Sequence, residues 1–374
     1  MEFRDLKKQY QLYKDEIDTQ MNNVIAAGTF IGGNTVTELE TKLAEYVGRE
    51  YCISCANGTD ALQLALMCWE IGPGDAVFVP DFTFFSTAET VALAGATPIM
   101  VDICEDTFNI SPMELENAIV KTIAEGKLKP KAIIPVDLFG QPADFDSISC
   151  IASKYDLKIL EDGAQGFGGT IGKHKACGFG GISTTSFFPA KPLGCYGDGG
   201  AIFTDNLEWK ERISSLKVHG KGNSKYDNVR VGINSRLDSI QAAVLKVKLQ
   251  KLDMEINLVN KWAELYTSLL KEHVKCPTVR PGYSSSWAQY TILLKDSEQR
   301  EYVQRELGKL DIPTMIYYAK GMHQQKALSQ FIDFSEACPV TESVCRRCLS
   351  LPMHPYLTEE DVVYVSNQLC SLLK

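Results

Sequence analysis

Short apolar runs alternate with segments of helical periodicity between residues 51 and 160, and this alternation restricts the fold more than any other feature. The apolar runs predict strands at residues 51–55, 76–79, 98–101, 132–135 and 158–160. The segments between them predict helices at residues 61–69, 86–93, 112–125 and 145–154. Successive parallel strands need a crossover, which is usually a helix, so we expect an α/β fold with a mostly parallel, doubly wound sheet.

The pattern changes towards the end of the chain. With 374 residues, the chain is longer than most chains that fold around a single hydrophobic core. A proline-free helix is predicted over residues 239–270, where it could link two domains. Strands are predicted beyond it at residues 290–294, 314–317 and 349–351, with helices at 298–307 and 359–373. We therefore expect a large α/β domain over residues 1–250 and a smaller α+β domain over residues 251–374.

The composition, with 45% apolar and 23% charged residues, is that of a soluble globular protein. The net charge of −9 argues against a surface for nucleic acid or anionic membranes. The start of the chain is polar and no long uncharged apolar run occurs, so we expect no signal peptide and no membrane span. The twelve cysteines are scattered, as in a reduced, cytoplasmic protein. Cys52-x-x-Cys55 and Cys345-x-x-Cys348 have zinc-type or redox-type spacing but lie far apart, and we expect no metal site.

One lysine stands in an unusual setting. Lys191 lies between Pro189 and Pro192 and is followed by a glycine-rich turn. The prolines favour a stiff, non-helical loop, and the glycines allow another group to approach closely. An amine held in an apolar neighbourhood suits Schiff-base chemistry, because desolvation favours the neutral, nucleophilic form. The alternative is an ordinary turn with a solvated lysine.

Two further stretches carry polar groups at places where ligands bind in α/β sheets. Asn57-Gly58-Thr59-Asp60 joins a predicted strand to a predicted helix, and such a helix N-terminus can bind an anion or merely cap itself. Glu161-Asp162 follows the strand predicted at 158–160, at the carboxyl end of a parallel sheet. The alternative for Asp162 is a helix cap.

Together, the stretches resemble the pyridoxal-phosphate-dependent sugar aminotransferases of the DegT/StrS type over nearly the whole chain. The matching pieces occur in the family's order at residues 57–62, 83–84, 161–165, 186–194, 197–201 and 232–238. The resemblance implies the type I aminotransferase fold, the cofactor pyridoxal 5′-phosphate, and a homodimer with each active site at the subunit interface.

The resemblance also assigns roles in cofactor binding. Lys191 would form the Schiff base with the cofactor aldehyde and later move a proton. Asp162 would pair with the pyridine nitrogen, Gln165 would lie near the ring hydroxyl, and Phe84 would stack on the ring. The remaining expected contacts are to the cofactor phosphate, from Gly58, Thr59 and Ser186, and from Asn234 of the neighbouring subunit.

The expected substrates are a nucleotide sugar and glutamate, with 2-oxoglutarate as the product of the latter. Phe30, Arg236, Tyr317 and Tyr318 are the candidate substrate-binding residues, and Arg236 offers a bidentate fork for a carboxylate. The alternative for Arg236 is a surface ion pair. Tyr317-Tyr318-Ala319 departs from the family's usual His-Tyr-Pro, which leaves the sugar contacts there open.

The sequence at residues 51–63, 187–204 and 350–357 is most similar to those of enzymes that aminate C3 of a UDP-linked 3-keto N-acetyl-hexuronic acid. Such enzymes supply bacterial surface polysaccharides such as O-antigen. A 3- or 4-keto-6-deoxy-sugar aminotransferase, acting on a UDP- or dTDP-sugar, is the alternative. Lysine at 191, where some relatives that are sugar dehydratases carry histidine, favours aminotransfer. A non-catalytic regulator on the same fold is the alternative from another class, although it would have no need to retain both Lys191 and Asp162.

Overall fold

The computed structural model describes residues 1–224 and 226–373, which form twelve strands and twelve α-helices. The strands are β1 Tyr51–Cys55, β2 Asp75–Pro80, β3 Thr97–Val101, β4 Lys129–Ile133, β5 Lys158–Asp162, β6 Thr170–Ile171, β7 His174–Lys175, β8 Ile182–Ser186, β9 Gly200–Thr204, β10 Tyr283–Ser284, β11 Tyr290–Leu293 and β12 Cys348–Leu351. The helices are α1 Leu6–Ala27, α2 Asn34–Val47, α3 Gly58–Cys68, α4 Ser86–Leu93, α5 Pro112–Glu125, α6 Phe145–Tyr155, α7 Leu207–Leu216, α8 Ser239–Leu249, α9 Leu252–Leu270, α10 Ser297–Lys309, α11 Pro339–Arg347 and α12 Glu359–Leu372.

A seven-stranded sheet in the order β1-β9-β8-β5-β4-β2-β3 forms the centre of the fold. Its neighbours from β8 to β3 are parallel, whereas β9 is antiparallel to both β8 and β1. All five strands predicted between residues 51 and 160 belong to this sheet, which confirms the mostly parallel α/β fold. The carboxyl ends of β2, β5 and β8 lie on the same edge, because parallel strands share a direction.

Helix α8 and helix α9 replace the single helix predicted over residues 239–270. The break at Gln250-Lys251 contains neither glycine nor proline, so local propensity does not explain it. Leu249 and Leu252 both pack into one apolar cluster, and a bend in the chain allows both side chains to reach it. Lys246 and Lys248 lie in the last turn of α8, and Asp253 and Glu255 lie in the first turn of α9, where their charges favour two separate helix ends.

Two other predicted strands differ from the structure. The strand expected at 314–317 is reduced to a single antiparallel bridge between Met315 and Ser350, and the chain then turns towards a cavity at the edge of the large sheet. Strand β4 begins at Lys129 rather than 132, because the Lys129 amide bonds the Gly74 carbonyl at 2.9 Å. Pro130 is accommodated there at an irregularity in the pairing with β2.

The cores show how the two ends of the chain are joined. Leu252 and Ile256 of α9 pack into the apolar cluster that covers β9, while Val259 and Trp262 of the same helix pack into a separate C-terminal cluster. Helix α9 therefore contributes to both cores, and the domain boundary at residue 250 stays a prediction.

All twelve cysteines are free thiols. Within the part of the chain that the structure describes, every helix is too short or too polar to cross a membrane.

Candidate active site

A cavity of about 460 Å³ opens at the carboxyl edge of the large sheet. Its walls contain many of the residues singled out in the sequence, namely Gly58, Thr59, Phe84, Asp162, Gln165, Ser186, Lys191, Tyr317 and Tyr318. Asp162 is the last residue of β5 and Ser186 is the last residue of β8, while Phe84 follows β2. The large sheet thus brings together side chains from distant parts of the chain at one edge.

The loop that carries Lys191 is closed by its own backbone. The Lys191 amide bonds the Phe188 carbonyl at 2.8 Å, and the Cys195 amide bonds the Phe187 carbonyl at 2.8 Å. Gly194 is required in this turn, since a Cβ there would lie 2.4 Å from the Pro189 carbonyl oxygen. Burial lowers the pKa of the Lys191 amine to about 8, with Asp162 opposing the shift. This pKa increases the neutral fraction of the amine near neutrality.

The Asp162 carboxylate is buried and has two donors. Thr87 Oγ1 donates to Oδ2 at 2.8 Å, and the Ala164 amide donates to Oδ1 at 3.2 Å. Burial raises the pKa of Asp162, while the Thr87 and Ala164 hydrogen bonds and the Lys191 charge act against this rise. A turn rather than a helix follows Asp162, so the helix-cap alternative is wrong.

The N-terminus of α3 faces the end of β8 across the cavity. Asn57 caps the helix by accepting from the Asp60 amide at 2.8 Å, and Thr59 Oγ1 lies 2.8 Å from Ser86 Oγ. A Cβ on Gly58 would lie 2.7 Å from Ser186 Cβ, so the close approach of helix and strand requires glycine. The helix therefore caps itself and also presents its first turn to the cavity.

Tyrosine and glutamine side chains form another wall. Gln165 Oε1 accepts from the Phe139 amide at 2.9 Å, and Gln165 Nε2 donates to Tyr318 Oη at 3.1 Å. These two bonds fix the orientation of the Gln165 side-chain amide. Phe84 is 54% exposed, and its ring centroid lies 6.4 Å from that of Tyr318.

Asp81, at the end of β2, anchors the segment that follows Tyr318. It accepts from the His323 amide at 2.8 Å, and His323 Nδ1 lies 2.6 Å from its other oxygen. The hydrogen bond that His323 donates to Asp81 is the largest cause of the raised pKa of His323. Cys338 lies close enough for the three side chains to surround a cation, but both Asp81 oxygens already have partners on His323.

Three predicted site residues lie outside this cavity in the chain that contains them. Phe30, Asn234 and Arg236 are exposed. Arg236 lines a separate, open cavity of about 780 Å³ together with His219 and Lys221.

Comparison with known proteins identifies the family. Residues 11–370 match the DegT/DnrJ/EryC1/StrS aminotransferase family. The chain belongs to this family. It is 46% identical to UDP-2-acetamido-2-deoxy-3-oxo-D-glucuronate aminotransferase from Pseudomonas aeruginosa, over 96% of each chain.

Solved structures of family members have the same fold. The crystal structure of a DegT DnrJ EryC1 StrS aminotransferase from Brucella abortus is 47% identical and has a TM-score of 0.97, covering 100% of this chain and 99% of the other. NtdA from Bacillus subtilis, with bound cofactor PMP, is 29% identical with a TM-score of 0.87, covering 99% of this chain and 83% of the other. The sequence-based recognition of the family and of its fold is confirmed.

The cavity of this aminotransferase fits pyridoxal phosphate, the cofactor expected from the sequence. One part of its wall carries an amine with a lowered pKa and a buried carboxylate, which suit an aldehyde and a pyridine nitrogen. Another part of its wall carries a helix N-terminus with hydroxyl groups, as a phosphate requires.

Some residues of the site were missed by the sequence analysis. Thr87, the donor to Asp162, lies in the first turn of α4, and its Oγ1 is 3.1 Å from Thr83 Oγ1; its only sequence signal was its closeness to the matching stretch at 83–84. Gln289 and Asp198 line the cavity, and Arg4 bonds the Lys191 carbonyl. Arg4 carried no sequence signal, because its contact depends on the path of the whole chain.

Cys177 explains why glycine stands at position 163, directly after Asp162. A Cβ at 163 would lie 2.5 Å from Cys177 Sγ. We expect Gly163→Ala to lower the free energy of unfolding by about 1–3 kcal/mol through overpacking. The double variant Gly163→Ala/Cys177→Ala should be more stable than the sum of the two single effects predicts, because the sulfur is removed.

Urea unfolding of the four proteins in this cycle measures the coupling. Gly308→Ala is the matched control, since a Cβ there has open space in α10, and it should not destabilise. Strictly additive effects of the two substitutions would contradict the packing explanation for Gly163.

Proposed function

We propose that this chain transfers the amino group of glutamate to C3 of a UDP-linked 3-keto N-acetyl-hexuronic acid. The observation that carries the aminotransfer is the presence of the Lys191 amine and the buried Asp162 carboxylate in one cavity. The 46% identity over 96% of the chain to the Pseudomonas aeruginosa enzyme supports the sugar.

Lys191 and Asp162 divide the chemistry between them. When bound, pyridoxal phosphate supplies an aldehyde that joins to amines and a ring that accepts an electron pair. The neutral Lys191 Nζ acts first as the nucleophile and then as the base that accepts and returns a proton at the substrate carbon. The Asp162 carboxylate would keep the pyridine nitrogen protonated, and Thr87 fixes the orientation of the carboxylate by a 2.8 Å hydrogen bond.

The other cavity residues hold and orient the cofactor. The first turn of α3, at Gly58 and Thr59, and the Ser186 hydroxyl bind the phosphate by backbone and hydroxyl donors. Phe84 would cover one face of the ring. Gln165, held by its bonds to Phe139 and Tyr318, would bind the ring hydroxyl.

A second subunit completes each site in this proposal. Phe30, Asn234 and Arg236 are exposed and lie outside the cavity of their own chain, as residues that serve a partner's cavity must be. Asn234 then reaches the partner's cofactor phosphate, while Phe30 and Arg236 contact the sugar nucleotide beside Tyr317 and Tyr318. The enzyme is a cytoplasmic homodimer that supplies diamino uronic acids to surface polysaccharides such as O-antigen.

The uronate is the feature that separates the proposed substrate from its alternatives. A carboxylate on the sugar can form a charge-assisted bidentate pair with Arg236, whereas a 6-deoxy sugar presents a methyl group there. Leaving the arginine unpaired should cost about 2 kcal/mol or more. Glutamate-dependent rates should therefore be higher on the 3-keto uronate than on 3-keto- or 4-keto-6-deoxy UDP- and dTDP-sugars.

Arg236→Gln separates the two carboxylates that Arg236 could bind. If it binds the uronate, the variant should lose kcat/KM on the uronate by about tenfold or more and change little on a 6-deoxy sugar. An equal loss on every sugar would assign Arg236 to glutamate instead. Faster amination of any 6-deoxy sugar by the unmodified enzyme would replace the uronate with that alternative, while absence of transamination on all sugars would favour the non-catalytic regulator.

A further inference from the structure

The N-terminal segment at Phe3 and Arg4 contacts the loop that carries Lys191 and the wall of the cavity. Arg4, which is partly buried, donates to the Lys191 carbonyl at 3.1 Å across 187 residues of sequence and to the Ala288 carbonyl at 3.4 Å. The neighbouring Phe3 carbonyl accepts from the Met353 amide at 3.4 Å. The Phe3 ring centroid lies 6.2 Å from that of Tyr317, at the cavity wall. This N-terminal segment is therefore fixed at both its backbone and its side chains.

A second cation holds the same loop. Lys248, which is 3% exposed, donates to the Gly194 carbonyl, three residues after the carbonyl that Arg4 contacts. Two basic side chains from distant parts of the chain thus bind the backbone of one tight turn, and burial lowers the pKa of Lys248 to about 8. Hydrogen bonds from cations to carbonyl oxygens are stronger than neutral ones, so they hold the turn firmly.

Glu255 offsets part of the charge of these two basic groups. This carboxylate is 7% exposed and accepts from Tyr13 Oη at 2.9 Å and from Tyr356 Oη. Its negative charge acts on both Arg4 and Lys248 without forming an ion pair with either. The Arg4 guanidinium therefore bonds backbone carbonyls, including that of Lys191, rather than a carboxylate.

We propose that Arg4 is a positioning residue of the active site, which holds the catalytic loop through the Lys191 carbonyl and places a positive charge on the backbone of the residue that carries the reactive amine. The inference rests on the proposed role of Lys191. A like charge disfavours the ammonium form, so Arg4 acts in the same direction as burial on the pKa of Lys191, while Asp162 acts against both. The other titratable groups that line the cavity are Asp198, Tyr317 and Tyr318.

Three substitutions separate the charge of Arg4 from its hydrogen bond. Arg4→Lys keeps the charge, Arg4→Gln keeps a donor without the charge, and Arg4→Met removes both. Lys8→Gln is the matched control, since Lys8 is an exposed cation one turn further along that donates to the Tyr356 carbonyl. The measurement is the rate at which fluorodinitrobenzene labels Lys191 in the cofactor-free protein, followed against pH by peptide mass spectrometry.

We expect a labelling midpoint near pH 8 for the unmodified protein, from the pKa of about 8. Arg4→Gln and Arg4→Met should both move the midpoint upward by about half a unit or more, because the like charge is gone. Arg4→Lys and Lys8→Gln should leave the midpoint in place. Thermal unfolding of each cofactor-free variant checks that it is folded, and Arg4→Gln carries the test if Arg4→Met does not fold.

An unchanged midpoint in Arg4→Gln overturns the proposal. So does an equal shift in Arg4→Lys and Arg4→Gln, since the effect would then follow the shape of the side chain rather than its charge. The labelling uses neither sugar nor cofactor, so its outcome is separate from the outcome of the transamination assays. If the transamination assays contradicted the proposed function, the labelling profile would still test whether Arg4 acts on the Lys191 amine.

Discussion

Lys191→Ala should abolish multiple turnover while leaving the fold intact. The amine lines the cavity, whereas the turn that carries it is closed by backbone bonds of Lys191 and Cys195 that alanine retains. With a pKa of about 8 instead of 10.5, the amine is neutral near pH 7 on the order of a few hundred times more often than a free lysine. No other side chain can act as the nucleophile without moving into the position of the Lys191 amine. We therefore expect a loss of about 10⁴-fold or more in kcat.

Two controls make this test specific. Lys173→Ala removes an exposed lysine on the turn between β6 and β7 and should keep full activity. Lys191→Arg keeps a cation in the cavity but provides no neutral amine, so it should be as inactive as alanine. Circular dichroism and cofactor content verify that Lys191→Ala is folded and still binds pyridoxal phosphate. Multiple turnover near the unmodified rate in Lys191→Ala would remove Lys191 from the role of nucleophile.

The parts of the site that the sequence predicted are those that short stretches of chain define. Asp162 ends β5 and Ser186 ends β8, so their places at the carboxyl edge follow from the direction of the strands. Lys191 lies on a loop whose prolines and glycines determine its shape locally. Gly58 and Thr59 open α3 after Asn57, which is a cap residue. For these positions, identifying the strand, turn or helix start was enough to place the side chain.

The parts that sequence could not predict depend on distant contacts. Arg4 meets the Lys191 carbonyl across 187 positions, and Lys248 meets the same loop from α8. Neither contact leaves a periodic or motif signal, because arginine and lysine on amphipathic segments are usually solvated. The break before α9 has the same origin, since packing of Leu249 and Leu252 overrides a sequence without a helix breaker. The roles of the site residues remain predictions that the variants described here test.

The second large effect is expected for Asp162→Asn. The substitution keeps the size of the side chain but leaves an uncharged amide where the cofactor nitrogen needs an anion to retain its proton. The Ala164 amide can still donate to the oxygen of asparagine, and the Thr87 hydroxyl, which now donates to the other carboxylate oxygen, can instead accept from the asparagine nitrogen. We therefore expect the protein to keep its fold and to lose about 10²-fold or more in kcat.

Asp144→Asn is the matched control for Asp162→Asn. Asp144 is the N-cap of α6 and accepts from the Ser147 amide at 3.2 Å, a role that asparagine fills equally well, while the substitution gives up the ion pair with Arg280. Its activity should be unchanged. Because burial raises the pKa of Asp162, the unmodified enzyme should also lose activity as the pH falls through that pKa and the carboxylate is protonated, whereas Asp162→Asn should lack this acid limb. A loss below about threefold, with the acid limb retained, would reduce Asp162 to a residue that only stabilises its turn.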